Sequence, residues 1–233
     1  MDGTFDFASF TWNAPPVPHK IAIVSGALGI TFGVALCNCL SGTLRYPQFW
    51  LYVCFYCFFH MVEFLVTAVY NRPLLNMGSF LLTNGWQYVF ASTLTLLEAA
   101  VVHVRSPSWH KWGPLPLLGL VLVVGGQAIR TVAMIHASRN FSHKVSYEKQ
   151  MNHKLVTDGI YAKMRHPSYL GYYVWALGCQ ALVGNIGCLI VYAVVLWLFF
   201  RARIEREEEA LIRFFGQNYL SYKQTVWSGM PLV

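Results

Sequence analysis

The chain has 233 residues, a formal net charge of +7, 56% hydrophobic residues and only 12% charged ones. Soluble globular domains carry about a quarter charged residues, so this composition excludes an ordinary soluble fold. The positive balance could suit nucleic acid, but the basic residues flank apolar runs, where lipid head groups lie, and a nucleic-acid partner is not expected.

The apolar residues fall in long runs, and about 20 helical residues cross a hydrocarbon core of roughly 30 Å. The first four runs cover 21–40, 49–70, 86–104 and 115–137. A fifth, 169–200, is too long for one crossing and holds Gly184-Asn185, a turn signal, near its middle. It reads as two helices joined by a tight bend. The spacing therefore predicts an all-α polytopic membrane protein with six transmembrane helices, the last two forming a hairpin. The 20 residues before the first run include Asp2, Asp6 and three prolines. They make a poor signal n-region, so the first run is expected to be a span rather than a cleaved leader.

Orientation follows from the positive charges. An even number of spans puts both termini on one side, and thirteen of the 17 Lys and Arg then gather there. They are Lys20, Arg72, six within 139–168 and five beyond Phe200, whereas the opposite loops hold Arg45, Arg105 and Lys111. Termini and the 139–168 segment are expected in the cytosol. The six cysteines lie in or beside apolar runs and read as small buried hydrophobes, with no disulfide framework and no metal. No internal repeat or low-complexity tract is evident.

Segment 139–168 is the longest polar stretch and leads directly into a span through Arg165-His166-Pro167-Ser168-Tyr169. Pro167 suits the first turn of that helix, whose free N–H groups would favour an anion at the membrane surface. His166 and Tyr169 share the turn, either as an interfacial belt or as ligands. Past Phe200, Arg201 to Glu209 reads as a helix emerging into the cytosol. Arg203 and Glu207 stand four residues apart on one face, with Ile204, Leu211, Ile212 and Phe215 on another. A solvated, salt-bridged face is the plain reading of the charges. The hairpin, however, would return this helix to the side where His166 and Tyr169 lie. Glu63, Glu98 and Arg130 sit inside spans, where a charge must pair or line a cavity. Arg130 could pair with a glutamate, or it could serve as an anion site.

Several stretches together resemble the isoprenylcysteine carboxyl methyltransferase family. They are Leu-Val-Thr-x-Gly-Ile-Tyr at 155–161, Arg-His-Pro-Ser-Tyr-Leu-Gly at 165–171, Phe-Phe-Arg-x-Arg at 199–203 and Glu207 to Glu209. The text continues as Leu-Ile-x-Phe-Phe-Gly-x-x-Tyr-Leu-x-Tyr-Lys at 211–223, with weaker similarity at 63–68 and Arg130. The Arg-His-Pro element alone also occurs in phospholipid methyltransferases and sterol reductases, and the combination selects the family. Arg206 interrupts the acidic run, and Ser146 stands where some members carry a larger amide-bearing contact. Animal members have two more N-terminal spans, so six spans resemble the shorter fungal type.

The resemblance implies an endoplasmic-reticulum methyltransferase that uses S-adenosylmethionine (SAM) at the cytosolic membrane face. Its substrates would be prenylated CaaX proteins, reached through membrane lipid. Residues 1–138 would supply four spans, and 139–233 the cofactor-binding core, hairpin and cytosolic C-terminal helix, all in a single domain over 1–233. By the same resemblance, His153, Lys154, Leu155, Val156, Tyr161, His166, Pro167, Ser168, Tyr169, Arg203 and Glu207 would line the cofactor pocket. Arg130 is the candidate for orienting the substrate carboxylate.

The chemistry suits those residue types. A C-terminal carboxylate, with a pKa of about 3.5, is already ionised at neutral pH. In-line displacement at the methyl carbon then needs no general base, only alignment and partial desolvation. Three other readings compete with it. A phospholipid-amine methyltransferase would favour a carboxylate poised to take the proton that an amine nucleophile loses. A sterol-reductase-like protein would need a larger basic pocket for NADPH. A transporter tends to show broken helices in matching halves, and only the C-terminal block is interrupted here.

Overall fold

Four of the helices begin on a proline, a residue whose missing N–H costs nothing in a first turn. They are α1 (Pro18–Leu40), α2 (Pro47–Tyr70), α4 (Pro114–Ala137) and α5 (Pro167–Val183). The others are α3 (Trp86–Arg105), α6 (Ile186–Phe215) and α7 (Gln217–Thr225). The computed structural model describes residues 18–41, 46–82, 85–105, 112–143 and 154–233. Ser146 and His153 lie outside them. Among the described residues every regular element is helical, as expected from the sequence.

Among the described residues, four helical segments are long and apolar enough to cross a membrane: Pro18–Leu40, Pro47–Tyr70, Pro114–Asn140 and Ile186–Phe215. The other two expected spans are shorter. The apolar part of α3 is Trp86–Val102, and α5 has 17 residues. At 1.5 Å per residue that is about 25 Å, short of the roughly 30 Å of hydrocarbon. Large apolar side chains stay exposed along α1, α3 and α6, among them Ile30, Phe90, Val104, Ile190 and Leu198. Such continuous apolar exposure belongs in lipid rather than water.

The tightest packing joins α4 to α5. A Cβ on Gly119 would stand 2.3 Å from the Leu182 nitrogen, and one on Gly178 2.6 Å from that of Val123. At Gly126 it would meet the Trp175 nitrogen at 2.4 Å, and at Gly171 the Arg130 nitrogen at 2.6 Å. The partners rise along α4 as they fall along α5, so the two helices are antiparallel. On each helix the glycines are seven residues apart, about two turns, and form one stripe. Apolar attraction cannot drive association in lipid. Small residues that admit close backbone approach do so instead, through van der Waals contact.

The bend between α5 and α6 falls at Gly184-Asn185, as the sequence predicts. Gly184 takes the left-handed conformation (φ 80°), and the Asn185 N–H donates to the Gln180 carbonyl at 2.9 Å. Glu98 of α3 caps the start of α6, accepting from the Gly187 and Cys188 N–H groups at 2.7 and 2.6 Å. Asn185 Nδ2 donates to the Thr95 carbonyl at 2.9 Å, so the bend is tied to α3 twice. Glu98 is thereby a helix cap in trans, matched to the positive end of the α6 dipole. Beyond Phe200, α6 continues unbroken as a polar extension to Phe215, and Gly216 (φ 55°) separates it from α7.

Candidate active site

The Arg165-His166-Pro167 turn is clamped from two directions. The Arg165 N–H donates to the Trp227 carbonyl at 2.9 Å and the His166 N–H to that of Ser228 at 2.8 Å. Glu208 of α6 receives Arg165 Nε at 2.8 Å, His166 Nε2 at 3.1 Å and Lys223 Nζ of α7 at 2.6 Å. Arg165 also donates to the Val226 and Lys223 carbonyls. Pro167, the first residue of α5, is buried and shapes the turn.

One turn further, Tyr169 joins the two polar clusters. Its hydroxyl donates to Glu207 and accepts from Arg203 Nε at 2.9 Å. Its ring stacks on His166, with centroids 5.6 Å apart and planes 4° from parallel, and on Phe200 at 5.1 Å. Arg203 donates through Nη2 to the His143 carbonyl at 2.5 Å. The hydroxyl of Tyr169 thus stands between Arg203 and Glu207, which share one helix face. The exposed i, i+4 pair is Arg201 with Glu205, at 3.1 Å.

Two cavities meet at Tyr169, Phe141 and Ser142. The first is a cleft on the side of the polar α6 extension. Lys154, Leu155, Val156, Tyr161, His166, Ser168, Tyr169 and Glu207 line it, which brings together eight of the residues expected around a cofactor. Arg203 faces the second cavity and reaches the cleft only through Tyr169. Asn140, Leu211, Phe214, Phe215, Tyr219 and Tyr222 also line the cleft, and the sequence alone does not assign them to it. A signal was present. Leu211 and Phe215 lie on the apolar helix face that the sequence predicts, and an apolar face beside a polar cleft can hold a planar ring. Asn140 Oδ1 accepts from the Lys154 N–H at 2.8 Å and so fixes the strand of chain entering the cleft.

Tyrosines stiffen the cleft. Tyr222 donates to the Tyr161 carbonyl at 2.6 Å and Tyr161 to the Ala133 carbonyl at 3.3 Å. Burial pushes the Tyr222 hydroxyl up to about 12 and raises that of Tyr161 above its ordinary value, with the Glu207 charge adding to the latter. Both therefore remain protonated donors at neutral pH.

The second cavity has a volume of about 340 Å³ and lies among the membrane helices. Its walls are rich in aromatic residues, including Tyr52, Tyr56, Tyr88, Tyr172, Trp175 and Phe199. Arg130 faces it beside Tyr169. The α5 residues on its wall run from Tyr169 to Gln180, a rise of about 16 Å. Arg130 is buried and paired with buried Glu63, Nε to Oε1 at 2.5 Å and Nη2 to Oε2 at 2.8 Å. Its Nη1 donates to the Ser168 carbonyl at 3.1 Å. Arg130 thus pairs with a glutamate and also lines a cavity wall.

His143 lies 3.7 Å through Nδ1 from Glu63 and 3.3 Å through Nε2 from Thr67 Oγ1. Burial pushes its imidazole down to about 4. Glu63 opposes that shift, and Arg130 and Arg203 add to it. It is neutral at neutral pH.

A family model described as the isoprenylcysteine carboxyl methyltransferase family matches residues 117–213. Among curated relatives named protein-S-isoprenylcysteine O-methyltransferase, the one from Xenopus laevis is 40% identical over 92% of this chain and 74% of its own length. The Homo sapiens relative is 40% identical over 94% and 76%, and that of Saccharomyces cerevisiae 38% identical over 92% of each. A solved structure titled as the eukaryotic intramembrane Ras methyltransferase superposes with a TM-score of 0.88. It is 34% identical and covers 91% of this chain and 76% of that one.

Proposed function

Because the chain belongs to the isoprenylcysteine carboxyl methyltransferase family and is an integral membrane methyltransferase, we propose that it methyl-esterifies the C-terminal carboxylate of S-prenylated cysteine. The substrates would be processed CaaX proteins and the methyl donor SAM. The endoplasmic-reticulum membrane is the proposed location, with the termini and the polar cleft toward the cytosol. The observation that carries this reading is the junction at Tyr169, where a polar cleft and an aromatic cavity within the membrane share one wall.

The cleft suits SAM by its donor set. Glu207 can accept from the cofactor's amine or ribose, Lys154 supplies positive charge for its carboxylate, and Arg203 acts on the cleft through the Tyr169 hydroxyl that it holds. Leu155, Val156, Leu211 and Phe215 offer an apolar bed for adenine. His153 is proposed as a further contact on the family pattern. Pro167 acts by shaping the turn. SAM, when bound, supplies an electrophilic methyl carbon on a sulfonium, which the substrate carboxylate attacks in line.

The chain's own residues orient and desolvate. Arg130 holds the carboxylate at the head of the aromatic cavity, and the cavity takes the prenyl chain from the bilayer. Moving that chain from lipid to protein gains little, so the cavity selects more than it binds. No proton has to move, because the nucleophile is already ionised. Large flat aromatic walls suit a branched, unsaturated chain.

The test is transfer of labelled methyl from SAM to N-acetyl-S-farnesylcysteine in detergent or liposomes. Base-labile label on the lipid product is the expected result. SAM binding without transfer to any prenylcysteine would overturn the proposed substrate.

A further inference from the structure

The geometry points to Glu63 as a positioning residue that holds Arg130 charge-balanced, so that the guanidinium orients the substrate carboxylate without gripping it as an ion pair. This inference rests on the carboxyl-methylation reading above.

A guanidinium has five N–H donors. Three are taken in the structure, two by Glu63 and one by the Ser168 carbonyl. One remains on each terminal nitrogen, and Arg130 faces the aromatic cavity. Phe59 and Tyr172 lie against the guanidinium, 5.6 and 5.4 Å from Cζ to the ring centroids, and hold its plane. Glu63 is itself fixed. It is fully buried on α2, with Thr67 Oγ1 bonded to its carbonyl at 2.9 Å and His143 beside its carboxylate. The Arg130 backbone is set by Gly171, where no side chain could intervene. Plane, edge and backbone are thus all determined before a ligand arrives.

The reaction annihilates charge. A carboxylate oxygen forms a bond to the methyl carbon, and the carbon–sulfur bond breaks with its electron pair going to sulfur. The anion and the sulfonium both become neutral. An arginine paired only with the substrate would be left as an unpaired buried cation after transfer, and that cost would be added to the barrier. With Glu63 in place Arg130 has its counter-charge before, during and after the reaction. The carboxylate then receives two directed N–H bonds from a unit of zero net charge, which keeps it reactive.

The measurement is equilibrium binding of N-acetyl-S-farnesylcysteine and of its methyl ester to the detergent-solubilised protein without SAM, followed by steady-state kinetics. The wild-type protein should bind acid and ester within about threefold of each other, whereas an unbalanced arginine would favour the acid by about tenfold or more. In Glu63→Gln the preference for the acid should rise about tenfold while kcat, per SAM-binding site, falls about tenfold. The KM for SAM should stay unchanged. Glu63→Asp should keep the wild-type ratio of affinities. The inference is overturned if the wild-type protein already prefers the acid about tenfold. An unchanged acid-to-ester ratio in Glu63→Gln, with or without loss of kcat, would also overturn it and leave Glu63 a packing residue. Failure of the wild-type protein to methylate any prenylcysteine counts against the proposed function instead. The wild-type binding comparison stands even if Glu63→Gln does not fold.

Discussion

Gly126 of α4 and Trp175 of α5 lie so close that a Cβ on the glycine would come within 2.4 Å of the tryptophan nitrogen. Its neighbour Gly125 has nothing within 4 Å of the same constructed atom. Gly126→Ala must therefore push the helices apart, at about 1–3 kcal/mol or more for overpacking. Gly125→Ala should be neutral or slightly stabilising, since alanine favours helix by up to about 1 kcal/mol. Thermal unfolding in detergent of the two variants side by side checks the contrast. Equal midpoints would refute the close packing.

Arg203 and Glu207 meet only through the Tyr169 hydroxyl, and Glu207 faces the cleft. Losing one charge-assisted contact of this kind costs about 1.5–3 kcal/mol, so Glu207→Ala and Arg203→Ala should each weaken SAM binding by about 10–100-fold. Calorimetric titration with SAM reads this directly, and unfolding midpoints near wild type would show that the spans persist. Arg130→Ala should instead keep SAM affinity and lose turnover. Full SAM affinity in the Glu207 variant would remove that residue from the cofactor site.

Ala176 is buried on the wall of the membrane cavity, one turn past Tyr172. Ala176→Phe should fill space meant for the prenyl chain, raising KM for N-acetyl-S-farnesylcysteine severalfold with SAM affinity unchanged. A matched fall in SAM binding would indicate general misfolding rather than a filled cavity.

Glu98 accepts two N–H groups at the start of α6 and lines neither of the two cavities. Glu98→Ala leaves both donors without that acceptor and should cost about 1–3 kcal/mol of stability. Methyl transfer per folded molecule should match wild type. Loss of turnover at normal stability would mean that Glu98 does more than cap a helix.

His143 has an imidazole pushed from an ordinary 6.5 down to about 4. Between those values the unfolded chain binds more protons than the folded one, so stability falls as pH is lowered through this window. It is fully retained above about 6.5. Unfolding midpoints measured from pH 7 to pH 4 should drop, and His143→Gln should flatten part of that slope. An identical pH profile in the variant would mean that other groups carry it.

The helices were legible because bilayer thickness imposes length and apolarity on any spanning segment, and because proline and glycine mark where helices start and turn. That placed the runs behind α1 to α6, the bend at Gly184, and Tyr169 near Arg203 and Glu207. Periodicity could not decide whether α3 and α5 are full spans, since their apolar lengths sit at the boundary. The sequence alone does not single out Gly119, Gly126, Gly171 and Gly178, because the meaning of their seven-residue spacing depends on which helix lies opposite.

The sequence by itself determined the class of the molecule, the course of its helices, and, through family resemblance, its membership. Tertiary structure alone decided that Glu63 rather than Glu98 faces Arg130, that Tyr169 bridges Arg203 to Glu207, and that Glu208 ties down His166. The physical reason is that composition and spacing report the environment a residue needs. A buried charge demands a partner, but the partner's identity is fixed by how helices far apart in sequence are set against one another.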